Sequence, residues 1–309
     1  MRADVAVPNA LRWAPERRLE FIDFRLHWDR TLNRTQLREV FGISAQQASA
    51  DLARYMESVP GNLIYDKSAK TYRATPEFVP LFTDADSHAY LDRLTDVASD
   101  RATLNAAFIG WRPPCDVLQL PARIVEPDIL ATMVQAMRER HDIQIRYQSM
   151  RRSVTSLRWI APHALASDGL RWHARAWCYE TAAYKDFVLS RIRSISRRRA
   201  RVEDPFEPPP DIGWNSFIDI VIRPRKGLSL DQRKAIETEY GMVRGRHVMQ
   251  CRQAMALYLL RLMHLDECES SLIKQPLELE LTSEVAEVIA AARKSPEEYE
   301  AMTHNDEGD

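Results

Sequence analysis

The sequence predicts an α+β protein with several domains: an N-terminal winged helix-turn-helix, a central SH3-like β domain and a small C-terminal α/β domain. Three observations predict this fold class. The chain has 309 residues, which is too long for one ordinary domain. Its hydrophobic pattern has the period of helices near the N-terminus, the period of strands in the middle, and an alternation of the two towards the C-terminus. A stretch with four prolines, residues 204–210, separates the last two domains.

The first 80 residues have the pattern of a winged helix-turn-helix. An amphipathic helix is predicted over 13–30, Asn33 or Thr35 caps a short second helix that ends at Gly42, and Ser44 caps a third helix over 45–59. Two short β-prone runs, 63–65 and 71–73, follow directly and are joined by a polar turn. They predict a β-hairpin, which is the wing of this fold.

The third helix has polar side chains suited to base recognition. Gln46, Gln47 and Ser49 lie away from its apolar face, near the end that enters a major groove, and glutamine can bind adenine with two hydrogen bonds. The residues predicted to meet phosphates are Arg34, Thr35, Arg54, Lys67, Lys70 and Arg73. The alternative is a structural three-helix unit with a solvated polar face. The two lysines at the hairpin tip favour DNA binding.

The rest of the chain divides into a connector and two further domains. Residues 81–126 are predicted to be a helical connector with a helix over 84–98, and they carry no predicted site. Residues 127–203 form the central domain, in which a helix over 127–140 precedes short strands over 143–149, 157–165, 171–178 and 187–192. Residues 204–309 form the C-terminal domain.

The central domain concentrates positive charge in a chain whose net charge is only −1. Residues 138–201 hold 15 Lys and Arg against 5 Asp and Glu, between segments that are net acidic. In the strand over 171–178, Arg171, His173 and Arg175 point to one face. The residues that alternate with them and point to the core are Trp172, Ala174, Ala176 and Cys178. This pattern predicts an anion-binding face, and a solvated arginine-rich sheet face is the alternative.

The C-terminal domain alternates strands and helices and contains no catalytic constellation. Strands are predicted over 217–222, 246–251 and 277–281, and helices over 229–240, 253–264 and 284–293. The apolar helix face formed by Met255, Tyr258, Leu259 and Leu262 is either core or a dimer surface, and core is favoured.

Composition argues against several classes of protein. The four cysteines are isolated, so neither a disulfide framework nor a zinc site is expected, and a pair of His163 and His173 lacks a carboxylate or cysteine at a metal-ligand spacing. No apolar run approaches the ~20 residues that cross a bilayer, and the N-terminus lacks a signal-peptide core. We therefore expect a cytoplasmic protein with no membrane partner, no metal and no cofactor.

Six motifs spread over nearly the whole chain resemble a known family. They are Ile43-Ser44-x-Gln-Gln-Ala-Ser-x-Asp-Leu, Tyr65-Asp66-x-x-x-Lys70-x-Tyr72, Tyr147-Gln148-Ser149-Met150, Arg158-x-Ile-x-Pro-His163, Arg171-Trp-His-Ala-Arg-Ala-Trp177 and Phe187-Val-Leu-Ser-Arg-Ile192. Together they resemble the WYL-domain transcription regulators of bacteria, and most closely the subgroup that controls anti-phage defence operons, the BREX and CBASS regulators. The triplet Trp-Tyr-Leu that names the domain is replaced here by Trp172-His173-Ala174.

The resemblance implies a homodimeric regulator of a phage-defence operon that reads an inverted repeat in double-stranded operator DNA. Repression is the leading hypothesis, and activation stays open as its nearest variant. The WYL domain would sense a nucleic-acid fragment or a nucleotide-like ligand, and the C-terminal domain, which is WCX-like, would supply much of the dimer interface. The pocket residues that the resemblance implies are Tyr147, Ser149, Arg158, His163, Arg171, His173, Arg175, Ser190 and Arg191.

Two other functions stay open from the sequence. One is a metal-independent nucleic-acid-processing enzyme that uses His163 and His173, although an arginine cluster without a metal binds phosphate more readily than it cleaves it. The other is an adaptor that binds any nucleic acid in a salt-sensitive way. Discrimination between the protein's own promoter and a scrambled duplex separates the adaptor from a repressor.

Overall fold

The computed structural model describes residues 15–150, 152–200, 207–266 and 274–290. The chain divides into two compact units, Met1–Leu120 and Pro121–Asp309. Within the described residues no helix is long and apolar enough to span a membrane. The predicted helix start at 13–14, residues 204–206 of the proline-rich stretch and the predicted helix end at 291–293 lie outside the described residues.

Unit 1 is a winged helix-turn-helix followed by a further helix. Its helices are α1 (Pro15–Trp28), α2 (Arg34–Phe41), α3 (Ala45–Ser58) and α4 (Ser87–Ala98), and its strands are β1 (Thr31–Leu32), β2 (Leu63–Asp66) and β3 (Thr71–Ala74). The strands pair antiparallel in the order β1-β3-β2. The wing sheet therefore has a third strand, β1, in the segment that the sequence predicts only as a helix break.

The helix boundaries in unit 1 follow from local capping. The Asn33 side chain accepts a hydrogen bond from the Gln36 backbone, and the Gln36 side chain accepts one from the Asn33 backbone in return. Gly42 ends α2 in the left-handed conformation with φ +63°. Ser44 then caps α3 by accepting from the backbone N–H of Gln47. These three caps confirm the predicted turn between α2 and α3.

A single core holds unit 1 together and includes residues beyond the wing. Leu37, Leu52 and Tyr55 pack against α1, and the same core contains Leu94 of α4 and Phe108. The predicted connector, residues 81–126, thus contributes apolar side chains to the core of this unit.

A buried carboxylate ties the segment after the wing to α1. The Oδ2 of Asp23 accepts hydrogen bonds from the backbone N–H groups of 81–83 at 2.8–3.0 Å, and its Oδ1 accepts one from the Tyr55 hydroxyl. Burial and the bond to Asp23 raise the pKa of Tyr55 well above its usual value. Since both oxygens of the Asp23 carboxylate are hydrogen bonded, its charge is tolerated in the core.

Unit 2 contains the central β domain and the C-terminal α/β domain. Its helices are α5 (Pro127–Glu139), α6 (Ile212–Asn215), α7 (Leu230–Glu239), α8 (Gln253–Leu262) and the helical residues 283–290. Its strands are β4 (His141–Tyr147), β5 (Ser156–Ser167), β6 (Trp172–Cys178), β7 (Ala183–Val188), β8 (Ile192–Ala200), β9 (Phe217–Pro224), β10 (His247–Arg252) and β11 (Leu277–Glu280). Antiparallel sheets run in the orders β7-β6-β5-β4-β8 and β10-β9-β11. Together with the winged helix they confirm the predicted fold class.

Two details of the central domain differ from the sequence prediction. The predicted strand over 187–192 is broken by a 3-10 turn, Leu189–Arg191, which separates the end of β7 from the start of β8. Trp172, predicted in the core, is 55% exposed because it begins β6 opposite Ser167, beyond the apolar cluster that holds Ala174. Periodicity assigns a face to a residue but not its position relative to the end of the core.

Candidate nucleic-acid interface and effector cavity

The outer face of α3 presents the side chains that the sequence predicts for base reading. Gln46, Gln47 and Arg54 are exposed, whereas Ala48, Leu52 and Tyr55 of the same helix are buried in the unit 1 core. Among the described residues, the Gln46 side chain has no hydrogen-bond partner, so its amide is available to a ligand. The helix therefore separates a packing face from a polar face.

The hydroxyl of Ser49 makes hydrogen bonds within the protein and is not a free group on the polar face of α3. It donates to the backbone carbonyl of Ala45 at 2.9 Å and accepts from Nη1 of Arg34 at 2.9 Å. The hydroxyl thus holds the guanidinium of Arg34, at the start of α2, beside the exposed face of α3. Arg34 and Thr35 are both exposed.

The side chain of Gln47 is hydrogen bonded to the largely buried ion pair between Asp51 and Arg18. Its Nε2 donates to Oδ1 of Asp51 at 3.0 Å, and Asp51 accepts two further bonds from the guanidinium of Arg18 in α1. The Asp51 side chain is 4% exposed and that of Arg18 is 12% exposed. The protein itself therefore orients the Gln47 amide on the exposed polar face of α3.

The wing carries exposed cations at its tip. Lys67 and Lys70 are exposed in the turn between β2 and β3, and the Asp66 carboxylate shapes that turn by accepting from the backbone N–H groups of 68–69. Asp66 also pairs with Arg73 across the hairpin at 2.9 Å. These backbone bonds and the pairing with Arg73 lower the pKa of Asp66. Arg73 thus has a carboxylate partner, whereas the two lysines point to solvent.

A cavity of about 550 Å³ lies in unit 2 between the central sheet and helix α8. Four of the nine predicted pocket residues line it: Tyr147, Arg171, His173 and Arg191. The other residues that line it are Asp168, Leu170, Asp186, Val188, Tyr258, Arg261, Leu262 and His264. The cavity is therefore built by two domains rather than by the central domain alone.

Carboxylates balance part of the positive charge in this cavity. Asp168 Oδ2 lies 3.0 Å from Nε2 of His173 and 3.2 Å from Nε of Arg171, and its Oδ1 accepts from two backbone N–H groups of the β5–β6 turn. Burial alone would raise the pKa of Asp168, but the bonds from His173 and the backbone outweigh it and lower the pKa. His173 is 4% exposed and lies beside the Tyr258 ring of α8, at 5.2 Å between ring centres.

Arg191 and Arg261 complete the positive wall of the cavity. Among the described residues the Arg191 guanidinium has no hydrogen-bond or ion-pair partner, and Arg261 lies 3.4 Å from Asp266. Arg191 sits in the 3-10 turn between β7 and β8. An anion that enters the cavity therefore finds at least one guanidinium that no described residue pairs.

Arg175 and His163 lie in a network that joins the two domains of unit 2 and shares Asp186 and Tyr258 with the cavity wall. Arg175 binds Asp211 through Nε and Nη2 at 2.7 and 3.0 Å and Asp186 through Nη1 at 3.2 Å. His163 Nε2 lies 3.0 Å from the same Asp211, and the Tyr258 hydroxyl donates to Asp186 at 3.1 Å. Neither Arg175 nor His163 lines the cavity.

The charges in this network reinforce one another. Burial would lower the pKa of Arg175, but its bonds to Asp211 and Asp186 outweigh burial and raise it. Burial would likewise raise the pKa of Asp211, but Arg175, the backbone of Trp214 and His163 lower it. Asp211 also caps α6, so the pairing anchors the first element of the C-terminal domain to the central sheet.

The remaining predicted pocket residues lie elsewhere. Arg158 is 5% exposed and is held by Ser156 and Glu180. Ser190 lines a smaller cavity of about 150 Å³, together with Trp172. Ser149 is half-buried and does not line the larger cavity. The structure therefore divides the nine residues among the cavity, the interdomain network and other environments.

Sequence reasoning misses most of the cavity wall contributed by α8. The apolar stripe that contains Tyr258 and Leu262 predicts core or a dimer surface, and Arg261 and His264 give no signal of their own. Within the described residues, no three His, Cys, Asp or Glu side chains lie close enough together to hold a metal ion.

Three family models match consecutive parts of the chain. They are the BrxR transcriptional regulator winged helix-turn-helix domain over residues 15–96, the WYL domain over 128–197, and the BrxR transcriptional regulator C-terminal dimerization domain over 217–285. The N-terminal, central and C-terminal domains thus each have a matching model.

Curated relatives match over most of their length. The DNA-binding transcriptional repressor CapW of Escherichia coli (strain KTE188) is 40% identical over 270 residues, which cover 87% of this chain and 89% of the relative. CapW of Stenotrophomonas maltophilia is 39% identical, with 84% and 86% covered. CapW of Pseudomonas aeruginosa is 38% identical, with 87% and 89% covered.

Proposed function

The chain belongs to the family of WYL-domain transcriptional regulators that contains CapW and BrxR, and we propose that it is a dimeric DNA-binding transcriptional repressor. The similar CapW proteins are described as DNA-binding transcriptional repressors, and the C-terminal match is to a dimerization domain. These relatives favour a regulator over the alternative of a nucleic-acid-processing enzyme. The proposal extends to the control of a phage-defence operon, which the family resemblance supports.

The observation that carries the DNA-binding role is the polar face of α3 beside an exposed basic wing. Gln46 and Gln47 supply amide donors and acceptors for base edges, and Lys67 and Lys70 supply charge for phosphates. In a dimer, two such surfaces would bind half-sites about one helical turn (~34 Å) apart or a multiple of it. An inverted repeat is the operator that this symmetry requires.

The cavity between the central sheet and α8 is the proposed effector site. Its volume of about 550 Å³ suits a small ligand. Arg171, Arg191 and Arg261 supply positive charge, and Tyr258 supplies an aromatic surface. A nucleic-acid fragment or nucleotide-like ligand has the phosphate and the flat base that fit these groups.

The position of the cavity suggests how a ligand regulates DNA binding. A ligand there touches both the WYL domain and the domain that resembles a dimerization domain. It changes DNA affinity only if it binds the DNA-competent and DNA-free arrangements of the dimer with different affinities. The expected outcome is release of the operator when the cavity is occupied.

Fluorescence anisotropy on DNA from upstream of the protein's own gene tests the proposed function. The full-length protein is titrated against this duplex and a scrambled duplex of equal composition, at two salt concentrations. We expect binding that prefers the promoter duplex and persists at physiological salt. Equal binding to both duplexes that vanishes with salt would contradict the repressor and favour the non-specific adaptor.

A further inference from the structure

We propose that Asp51 and Arg18 set the base specificity of Gln47 by fixing which end of its amide faces the DNA. In this arrangement Gln47 presents its carbonyl oxygen and selects a base with an amino group in the major groove, with adenine preferred. The inference rests on the proposed DNA-binding function and adds two positioning residues and a base preference to it.

The geometry is a chain of three side chains from two helices. Arg18 of α1 donates from Nε to Oδ2 of Asp51 at 2.7 Å and from Nη2 to Oδ1 at 3.1 Å, which is a two-point contact between guanidinium and carboxylate. The Oδ1 of Asp51 also accepts from Nε2 of Gln47, one helical turn earlier, at 3.0 Å. The contact with α1 thus makes the carboxylate a fixed reference point for the amide.

The chemistry of the carboxylate decides the orientation of the amide. An ionised carboxylate only accepts hydrogen bonds, so the group of Gln47 that faces it is the NH₂. Rotating the amide by half a turn would place Oε1 against Asp51, and two acceptors would then oppose each other beside a side chain that is 4% exposed. The carbonyl oxygen of Gln47 is therefore directed away from Asp51, on the exposed side of α3.

An amide held in this orientation distinguishes the four bases by their donor groups. Adenine offers its N6 amino group to the carbonyl oxygen and its N7 acceptor to the second N–H of Gln47, whereas cytosine offers only an amino group. Guanine and thymine present the acceptors O6 and O4, which oppose the carbonyl oxygen. We expect adenine to be favoured over guanine at the contacted position by a factor on the order of ten or more.

The neighbouring glutamine provides a matched control. Gln46 is exposed, and within the described ranges of the chain its amide has no hydrogen-bond partner. It can turn to present either end to the DNA. A change at Asp51 should therefore alter the base preference that depends on Gln47 and leave any preference that depends on Gln46 unchanged.

The experiment measures binding of full-length protein to a duplex that it selects from a random-sequence pool, and to every single-base substitution of that duplex. Gln47→Ala and Gln46→Ala identify the positions that each glutamine reads. We expect adenine at the Gln47 position in the wild type. We expect Asp51→Asn to reduce the preference for adenine over guanine there at least fivefold, because the amide introduced in place of the carboxylate would offer Gln47 either a donor or an acceptor.

A double variant separates positioning from stability. In the Gln47→Ala background, Asp51→Asn should produce no further change in base preference, since there is no amide left to orient. Equal loss of affinity for all substituted duplexes in Asp51→Asn would show that Asp51 is only structural and would overturn the inference. A Gln47→Ala variant with unchanged preference at every position would also overturn it.

A measurement on wild-type protein keeps the inference testable if Asp51→Asn does not fold. Adenine at the Gln47 position is replaced by purine, which lacks only the amino group, or by hypoxanthine, which carries O6 instead. We expect affinity to fall for purine and to fall further for hypoxanthine, and equal affinity for all three would overturn the inference. If wild-type protein selects no sequence from the pool, the proposed function itself has failed, which is a distinct result.

Discussion

The outer face of α3 and the cavity beside α8 are both proposed to bind nucleic acid, but the cations near them are used differently. On unit 1, Lys67 and Lys70 are exposed at the wing tip and point to solvent. In unit 2, Arg175 is bound by two carboxylates and Arg171 lies beside Asp168. The central domain has the larger excess of positive charge in its sequence, but carboxylates of the same protein neutralise much of that charge.

This contrast shows that a local charge count overestimates the capacity to bind anions. Asp211 lies outside the basic segment, 36 residues after Arg175, yet it supplies the shortest hydrogen bond to that guanidinium. Buried ion pairs of this kind hold domains together and are costly to break, whereas exposed lysines at a wing contribute little to stability. Substitutions in the network of unit 2 should therefore change the stability of the protein, whereas substitutions of the wing lysines should change DNA binding and leave stability nearly unchanged.

Loss of the network between the two domains of unit 2 should reduce the stability of the protein most strongly. Asp211→Ala leaves Arg175 without its two-point partner and removes the cap of α6, so we expect the protein to lose about 3 kcal/mol of stability. Denaturation followed by circular dichroism measures the loss. The control is Asp219→Ala in the same C-terminal domain, at an exposed position, where a change within ~0.5 kcal/mol is expected. Similar losses for the two variants would show that the interdomain network contributes no more to stability than an exposed carboxylate.

The next effect concerns the cavity cation that has no partner among the described residues. Arg191→Ala should weaken binding of a 5′-phosphorylated dinucleotide by about 2 kcal/mol, because a charged hydrogen bond is removed. The melting temperature should not change, since no described ion pair is broken. Isothermal titration calorimetry gives the affinity, and Arg193→Ala, at a nearby exposed position that does not line the cavity, is the control. Unchanged affinity in Arg191→Ala would contradict the placement of the effector in this cavity.

A smaller effect is expected at the wing. Replacing Lys67 and Lys70 together by Ala should weaken binding to promoter and scrambled duplexes alike, because phosphate contacts carry no sequence information. The slope of log affinity against log salt should become shallower by about 0.9 for each phosphate that the protein no longer neutralises. Anisotropy titrations at several salt concentrations measure this slope. Weaker binding confined to the promoter duplex would instead assign the lysines to base reading.

The smallest effect is the dependence of the interdomain network on pH. The pKa of Asp211 is lowered in the folded protein, so its ionised form stabilises the fold above the ordinary value of 3.8, and this stabilisation is lost as pH falls through the lowered pKa. We expect the stability difference between wild type and Asp211→Asn to be constant near neutral pH and to shrink below about pH 4. Denaturation curves from about pH 3 to about pH 7 test this. A difference that grows on acidification would contradict the sign of the shift.

Elements whose formation depends on neighbouring residues follow from the sequence alone. Asn33, Gly42 and Ser44 specify the turn between α2 and α3 through hydrogen bonds to residues within about one helical turn. The helical period likewise predicts that Gln46 and Gln47 lie on the outer face of α3, because it separates them from the buried Ala48 and Leu52. The sequence misses two details of strand pairing. Strand β1 pairs with β3, and the turn within 187–192 lies where the chain passes from β7, which pairs with β6, to β8, which pairs with β4.

The availability of a polar side chain to a ligand depends on contacts between distant parts of the chain. Asp186 meets Tyr258 across 72 residues, Asp51 meets Arg18 across 33, and helix α8 supplies a wall of the cavity that periodicity assigns to core or a dimer surface. Hydrogen bonds and ion pairs act over a few ångströms in space, whatever the separation along the chain. A residue type therefore indicates which bonds a side chain can make, and the fold determines whether another part of the protein already makes them.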